Sequence, residues 1–573
     1  MAARRVFLVR RKVKGVDARP VNRAQTHRAR LAACINVAAV QLERTDFLAS
    51  RSNGHNFGMR GWIVIRRNEV GSARDHVALF YDERAERPSE AASHILHRER
   101  DRLPQKPFML NRHVQQLYRC DNTFILTQQL AIRSTRVVLP DGVQPACVIV
   151  ENGRISAITP HAVLPQDASL RDFESAFVLP GLIDTHIHIN EPGRTEWEGF
   201  ETATRAAAAG GYTCVVDMPL NSIPATTNVE ALEEKRAVAH GKALVDYSFW
   251  GGAVEGNAAE LKPLAEAGVA GFKAFLVPSG VNEFAMLDEA GLREAMPLIA
   301  TTGLPFLVHA ELPNALEKAT GDPRKYNNYL HSRPDEAELQ AIRLMIKLVR
   351  EYRCRVHIVH LATSHAIAEL RDARAEGLPI TVETCPHYLY FSAESISDGA
   401  TQFKCAPPIR AAFNRDRLWQ ALREGDVDLI ATDHSPCTLD LKHMESGNFQ
   451  TAWGGIASVS LALSAVWSEA RLRDFSISEV VRWLCEQPAA LSGLTSRKGR
   501  LAVGLDADIT IFNPDSSWHV TPESLHFRNK VSPYLGERFT GQVKATFLRG
   551  ELVYEDGRFP APPRGQEYRV GKA

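Results

Sequence analysis

His186 and His188 stand two residues apart in Asp184-Thr185-His186-Ile187-His188. On an extended strand, residues i and i+2 face the same side, so both imidazoles can reach one metal ion. Further along come Lys273 in Gly271-Phe272-Lys273-Ala274-Phe275, His309 followed by Ala310-Glu311, His360, and Asp433 in Ala431-Thr432-Asp433-His434-Ser435-Pro436. Each has a plain structural reading when taken alone. The chain has 20 histidines, and a strand histidine is commonly structural. A lysine in an apolar run can snorkel outward, and an aspartate ahead of Ser435-Pro436 can shape a turn. As a set they read differently, because each lies at or near the end of a short apolar run, in the order HxH, Lys, His, His, Asp. Donors of these types suit divalent-metal coordination.

The elements that must position them follow from the same runs. Eight short apolar stretches, at 182–188, 214–219, 244–251, 271–276, 305–309, 355–360, 380–385 and 428–433, read as strands. Most are followed by an amphipathic segment. The clearest is 335–352, where Leu339, Ile342, Met345, Ile346 and Val349 recur at helical spacing, with acids in the first turn and Lys347 and Arg350 near the end. Eight β-then-α units predict an α/β protein built on a (β/α)8 TIM barrel over 181–497, with catalytic groups where strands end. Short strands with a Glu151-Asn152-Gly153-Arg154 turn occupy 126–180, and strand patterns return over 498–573. These two flanks predict one composite β-sandwich domain.

The order of donors, with a lysine on the fourth strand, resembles the cyclic-amidohydrolase branch of the amidohydrolase superfamily: dihydroorotases, hydantoinases and allantoinases. Three stretches resemble the allantoinases in particular: residues 188–200 with Asn190-Glu191-Pro192-Gly193-Arg194, Asp217-Met218-Pro219-Leu220-Asn221-Ser222, and Ala452-Trp453-Gly454-Gly455-Ile456. The resemblance spans about 126–573. It implies two divalent ions, zinc first with cobalt or manganese as alternatives, to acidify water and polarise an amide carbonyl. His186 and His188 would hold one ion with Asp433, and His309 and His360 the other. Lys273, carboxylated by CO2 to N6-carboxylysine, would bridge them, and Asp433 would also accept a proton. His357 and His365 flank His360 and are assigned no metal. The reaction implied is hydrolysis of (S)-allantoin to allantoate in purine catabolism, with a hydantoinase or dihydropyrimidinase as the alternative. Dihydroorotases carry an arginine where this chain has Asn190, and a carboxylate substrate would want that guanidinium; Arg194, four residues on, is the nearest substitute. A non-enzymatic scaffold related to the hydantoinases would have lost ligands, whereas all six positions are filled here. Asn190, Asn221, Ser279 and Ser435 are the candidate substrate contacts, and each can equally serve as a cap or turn residue. His387 ends the seventh run and either lines the pocket or steadies a loop. Relatives of this kind imply a homotetramer.

Composition narrows the rest. The 573 residues are 45% hydrophobic and 24% charged, which excludes a wholly disordered or fibrous chain. No apolar run is long enough for a membrane helix. Nine cysteines without CxxC pairs fit a reducing compartment such as the cytoplasm, not a disulfide framework. Residues 1–120 hold 24 basic and 11 acidic residues, and the remainder is net acidic. This stretch reads as a basic extension, disordered or foreign to the mature protein, with organellar import as the alternative. The charge brings no nucleic-acid-binding motif with it, so the expected partner is a small molecule, with neither nucleic acid nor membrane.

Overall fold

The computed structural model describes residues 129–571, together with four short strands ahead of them. Those strands, β1 (Val6–Arg10), β2 (Gln41–Glu43), β3 (Trp62–Arg66) and β4 (His76–Tyr81), pair antiparallel in the order β1-β4-β3-β2. The rest of 1–120 lies outside the described residues, as does the expectation placed on that extension. The chain divides into two compact units, 1–123 and 124–573.

In the larger unit, β5 (Leu130–Leu139), β6 (Gly142–Glu151), β7 (Arg154–Pro160), β8 (Ser169–Asp172) and β9 (Phe177–Pro180) join β19 (Ile509–His519), β20 (Arg538–Leu548) and β21 (Glu551–Glu555) in one mixed sheet. The two chain segments meet where β9 runs antiparallel to β19, with Leu179 opposite Thr510. Their apolar residues form a common core that includes Ile132, Val148, Val150, Ile509, Ile511 and Phe547. The β6–β7 turn places Asn152 at φ 53° and Gly153 at φ 77°, the two left-handed positions that a tight hairpin with right-handed twist demands.

The eight apolar runs become the barrel: β10 (Leu182–Ile187), β11 (Tyr212–Asp217), β12 (Asp246–Phe249) continued by β13 (Gly251–Gly252), β14 (Phe272–Phe275), β15 (Phe306–His309), β16 (Val356–Ile358), β17 (Ile380–Thr384) and β18 (Leu429–Ile430). Every neighbouring pair is parallel, and a bridge between Ile187 and His434 returns the last strand to the first. The helix Asp335–Tyr352 shows how the outer layer forms. It buries Ile342, Met345, Ile346 and Val349 on one face, carries Asp335, Glu336 and Glu338 where the helix dipole favours acids, and stops at Arg353 in the left-handed region.

A buried ion cluster joins barrel to sheet. Lys498 donates to Asp246 at 2.7 Å and to Asp508, and Arg549 also binds Asp246. Asp246, Asp506 and Asp508 have the spacing of a metal site, but the Lys498 ammonium already sits among them. No helix among the described residues is long and apolar enough to cross a membrane.

Candidate active site

The C-terminal strand ends bring His186, His188 and Asp433 together. Asp433 Oδ1 lies 3.3 Å from Nε2 of each histidine, and the three donors fall within 4.8 Å of one another. Asp184 brings this about by locking the last strand end to the first. It accepts from the backbone N–H groups of His186 and Thr432 at 3.2 and 3.1 Å, and from the Thr432 hydroxyl at 2.5 Å. Burial pushes the Asp184 carboxyl up to about 6 against those hydrogen bonds. Asp433 itself takes φ 44°, a left-handed conformation that costs an L-residue roughly 1–3 kcal/mol and is kept only where the surroundings hold it.

Lys273, His309 and His360 come from β14, β15 and the turn after β16. The His360 ring centroid is 4.6 Å from that of His309 and 5.4 Å from that of His186, so the histidines form one continuous group. His309 stacks on Phe275 and bonds Glu311 Oε2 through Nε2 at 2.7 Å, which leaves Nδ1 as its free nitrogen. Arg333 neutralises Glu311 from the other side.

The chemistry of these residues suits divalent cations. Lys273 Nζ is buried with no hydrogen-bond partner, 4.9 Å from the Phe275 ring. Burial brings its ammonium down to about 7, so a large share is neutral amine near neutral pH. His360 Nδ1 is likewise buried and unpartnered. Burial also lowers His188 to about 4 and depresses His309 and His360, which keeps these imidazoles neutral with lone pairs to give.

The candidate substrate contacts divide. Asn190 and Asn221 each leave Oδ1 buried without a partner; their amide nitrogens lie 3.4 Å from the Pro436 carbonyl and from His188 Nδ1. Ser435 donates to Asp433 Oδ1 at 2.9 Å. Ser279 instead bonds inside its own turn, to the Phe284 and Val281 carbonyls at 2.7 and 3.1 Å. His387 is buried with both ring nitrogens unpartnered. Arg194 is engaged, donating to the Asn221 carbonyl at 2.9 Å and to Glu283 at 2.8 Å.

Sequence reasoning overlooked Glu383 and Glu311. Glu383 lies on β17 with Oε1 2.5 Å from His186 Nδ1 and Oε2 3.0 Å from His357 Nε2. Its signal is a carboxylate among the buried residues Val382 and Thr384 of that strand, a placement that demands a partner.

Comparison with known proteins places the chain in a family. The amidohydrolase family model matches residues 177–553. An allantoinase of Streptomyces avermitilis is 51% identical over 437 residues, covering 76% of this chain and 97% of its own. The allantoinase of Saccharomyces cerevisiae is 44% identical over 440 residues, covering 74% and 95%. Among solved structures, the L-hydantoinase of Arthrobacter aurescens superposes with a TM-score of 0.72 at 29% identity, covering 77% of this chain and all of that one. The chain therefore belongs to the amidohydrolase family and, within it, groups with the allantoinases.

Proposed function

We propose that this chain hydrolyses (S)-allantoin to allantoate, a step of purine catabolism. Identity of 51% to an allantoinase that it covers almost end to end carries the substrate assignment. Water adds to a ring carbonyl, the ring C–N bond breaks, and the departing nitrogen takes a proton. Bound divalent cations, zinc first, would acidify the water and polarise the carbonyl. His186, His188 and Asp433 would hold one, and His309 and His360 the other. Neutral Lys273 adds to CO2 and releases a proton, giving the N6-carboxylate that would bridge the two. The Asp433 carboxylate takes a proton from the attacking water and returns it to the leaving nitrogen, acting first as base and then as acid.

Asn190, Asn221 and Ser435 are assigned to the substrate through their side chains, and Ser279, whose hydroxyl is held by the Phe284 and Val281 carbonyls, through its backbone. The free Oδ1 atoms of Asn190 and Asn221 suit the N–H groups of a ring and its ureido arm. The pairing of Arg194 with Glu283 disfavours dihydroorotate, whose carboxylate would need a free guanidinium. We assign the enzyme to a homotetramer, and to the cytoplasm, where the buried free cysteines 147, 214, 354, 385, 405, 437 and 485 stay reduced. The test is ring opening of racemic allantoin, 5-substituted hydantoin and dihydroorotate by metal-loaded protein. Turnover of one allantoin enantiomer above the other two substrates is expected. Preference for hydantoin would keep the chemistry and overturn the substrate.

A further inference from the structure

We infer that Glu383 is a positioning residue that holds donors of both proposed metal sites in one frame. The inference rests on the metal-dependent reading above. Glu383 is fully buried on β17, and its contacts run to histidines and a peptide N–H. Oε1 sits 2.5 Å from His186 Nδ1 and 3.2 Å from the backbone nitrogen of His360. One oxygen therefore touches a residue from each site.

The two contacts act differently. At His186 the carboxylate accepts the Nδ1 proton, which leaves the lone pair on Nε2, the atom facing Asp433. A carboxylate behind a ligating imidazole fixes its tautomer and strengthens it as a donor. At His360 the backbone has φ 38°, a left-handed conformation that an L-residue keeps only when its surroundings hold it. The His360 N–H donated to Glu383 is one such hold. His357 braces the carboxylate from behind at 3.0 Å and is itself tied to Thr381 Oγ1 at 2.8 Å. This gives His357 a purpose without metal contact. Glu311 offers a contrast, since it supports His309 alone and its charge is cancelled by Arg333.

The experiment measures cobalt retention by the full chain. Wild type, E383Q and E383D are loaded with Co2+ in bicarbonate, desalted, and compared for metal per chain, visible absorption band, rate of release to a chelator, and kcat against KM. The amide of E383Q can donate to Nδ1 as well as accept from it, so the tautomer is no longer fixed. Cobalt affinity is expected to fall roughly 10–100-fold, with a changed band and a fall in kcat larger than any rise in KM. E383D keeps the charge but is one methylene short of its partners; a smaller loss is expected, and it carries the test if E383Q does not fold. Cobalt content, band and release like wild type in a folded variant would overturn the role of Glu383. Wild type that retains no cobalt would overturn the metal reading beneath it.

Discussion

Replacing Lys273 by methionine should move stability and function in opposite directions. The lysine Nζ is buried with no hydrogen-bond partner, on a strand flanked by Phe272 and Phe275. A buried donor left unsatisfied costs about 1–3 kcal/mol, and methionine fills a similar volume without that group. Metal-free K273M should therefore be about 1–3 kcal/mol more stable than metal-free wild type. With zinc and bicarbonate the order should reverse. A ligand bound only by the folded state stabilises it by about 4 kcal/mol at a thousand times its Kd, and K273M would lose the bridging carboxylate proposed above to carry that affinity. Urea unfolding with and without metal, beside allantoin turnover, reads both effects. K273M that is weaker than wild type without metal would refute the unpartnered lysine. K273M that gains as much from zinc as wild type would refute its bridging role.

Other substitutions test separate parts of the account. K498M leaves Asp508 without its buried cation, while Asp246 keeps Arg549, and should lower stability by about 3–5 kcal/mol, read by urea unfolding; a change under 1 kcal/mol would mean that the cluster does not join barrel and sheet. D433N should lower kcat by roughly 10²–10⁴-fold while the fold, followed by circular dichroism, stays intact. Lys404 supplies a pH test. Burial, with the nearby Lys442 and Arg333 charges, brings its ammonium down to about 7, against about 10.4 in an unfolded chain. Between those values the unfolded chain binds the extra proton, so the Lys404 contribution to stability rises with pH across that window. The difference in unfolding free energy between wild type and K404M should climb from pH 7 to 10, and a flat difference would contradict the assignment.

Much of this architecture is legible in the chain because local pattern and tertiary role coincide. Apart from the exposed Thr381, the barrel strands are buried on both faces, so they appear as short apolar runs, and donors at their C-terminal ends stand out against those runs. The helix Asp335–Tyr352 is marked in the same way by its apolar spacing and its acidic first turn. The second layer of the site is not marked so. Glu383 meets His186 across 197 residues and His357 across 26, contacts set by closure of the barrel and by neighbouring strands. Asp184 stands beside His186 in sequence, yet its task, holding Thr432 248 residues away, exists only once the last strand returns to the first. Ser279 illustrates the reverse: its place after a strand end suggests substrate, while its hydroxyl closes the turn that contains it.

Titrating metal-free protein with zinc in bicarbonate, while following bound metal per chain and allantoin turnover together, tests the central claim most directly. No turnover is expected without metal, and full turnover as the second equivalent binds. Allantoin opened by metal-free protein, or two ions bound with no opening of allantoin, would contradict that claim.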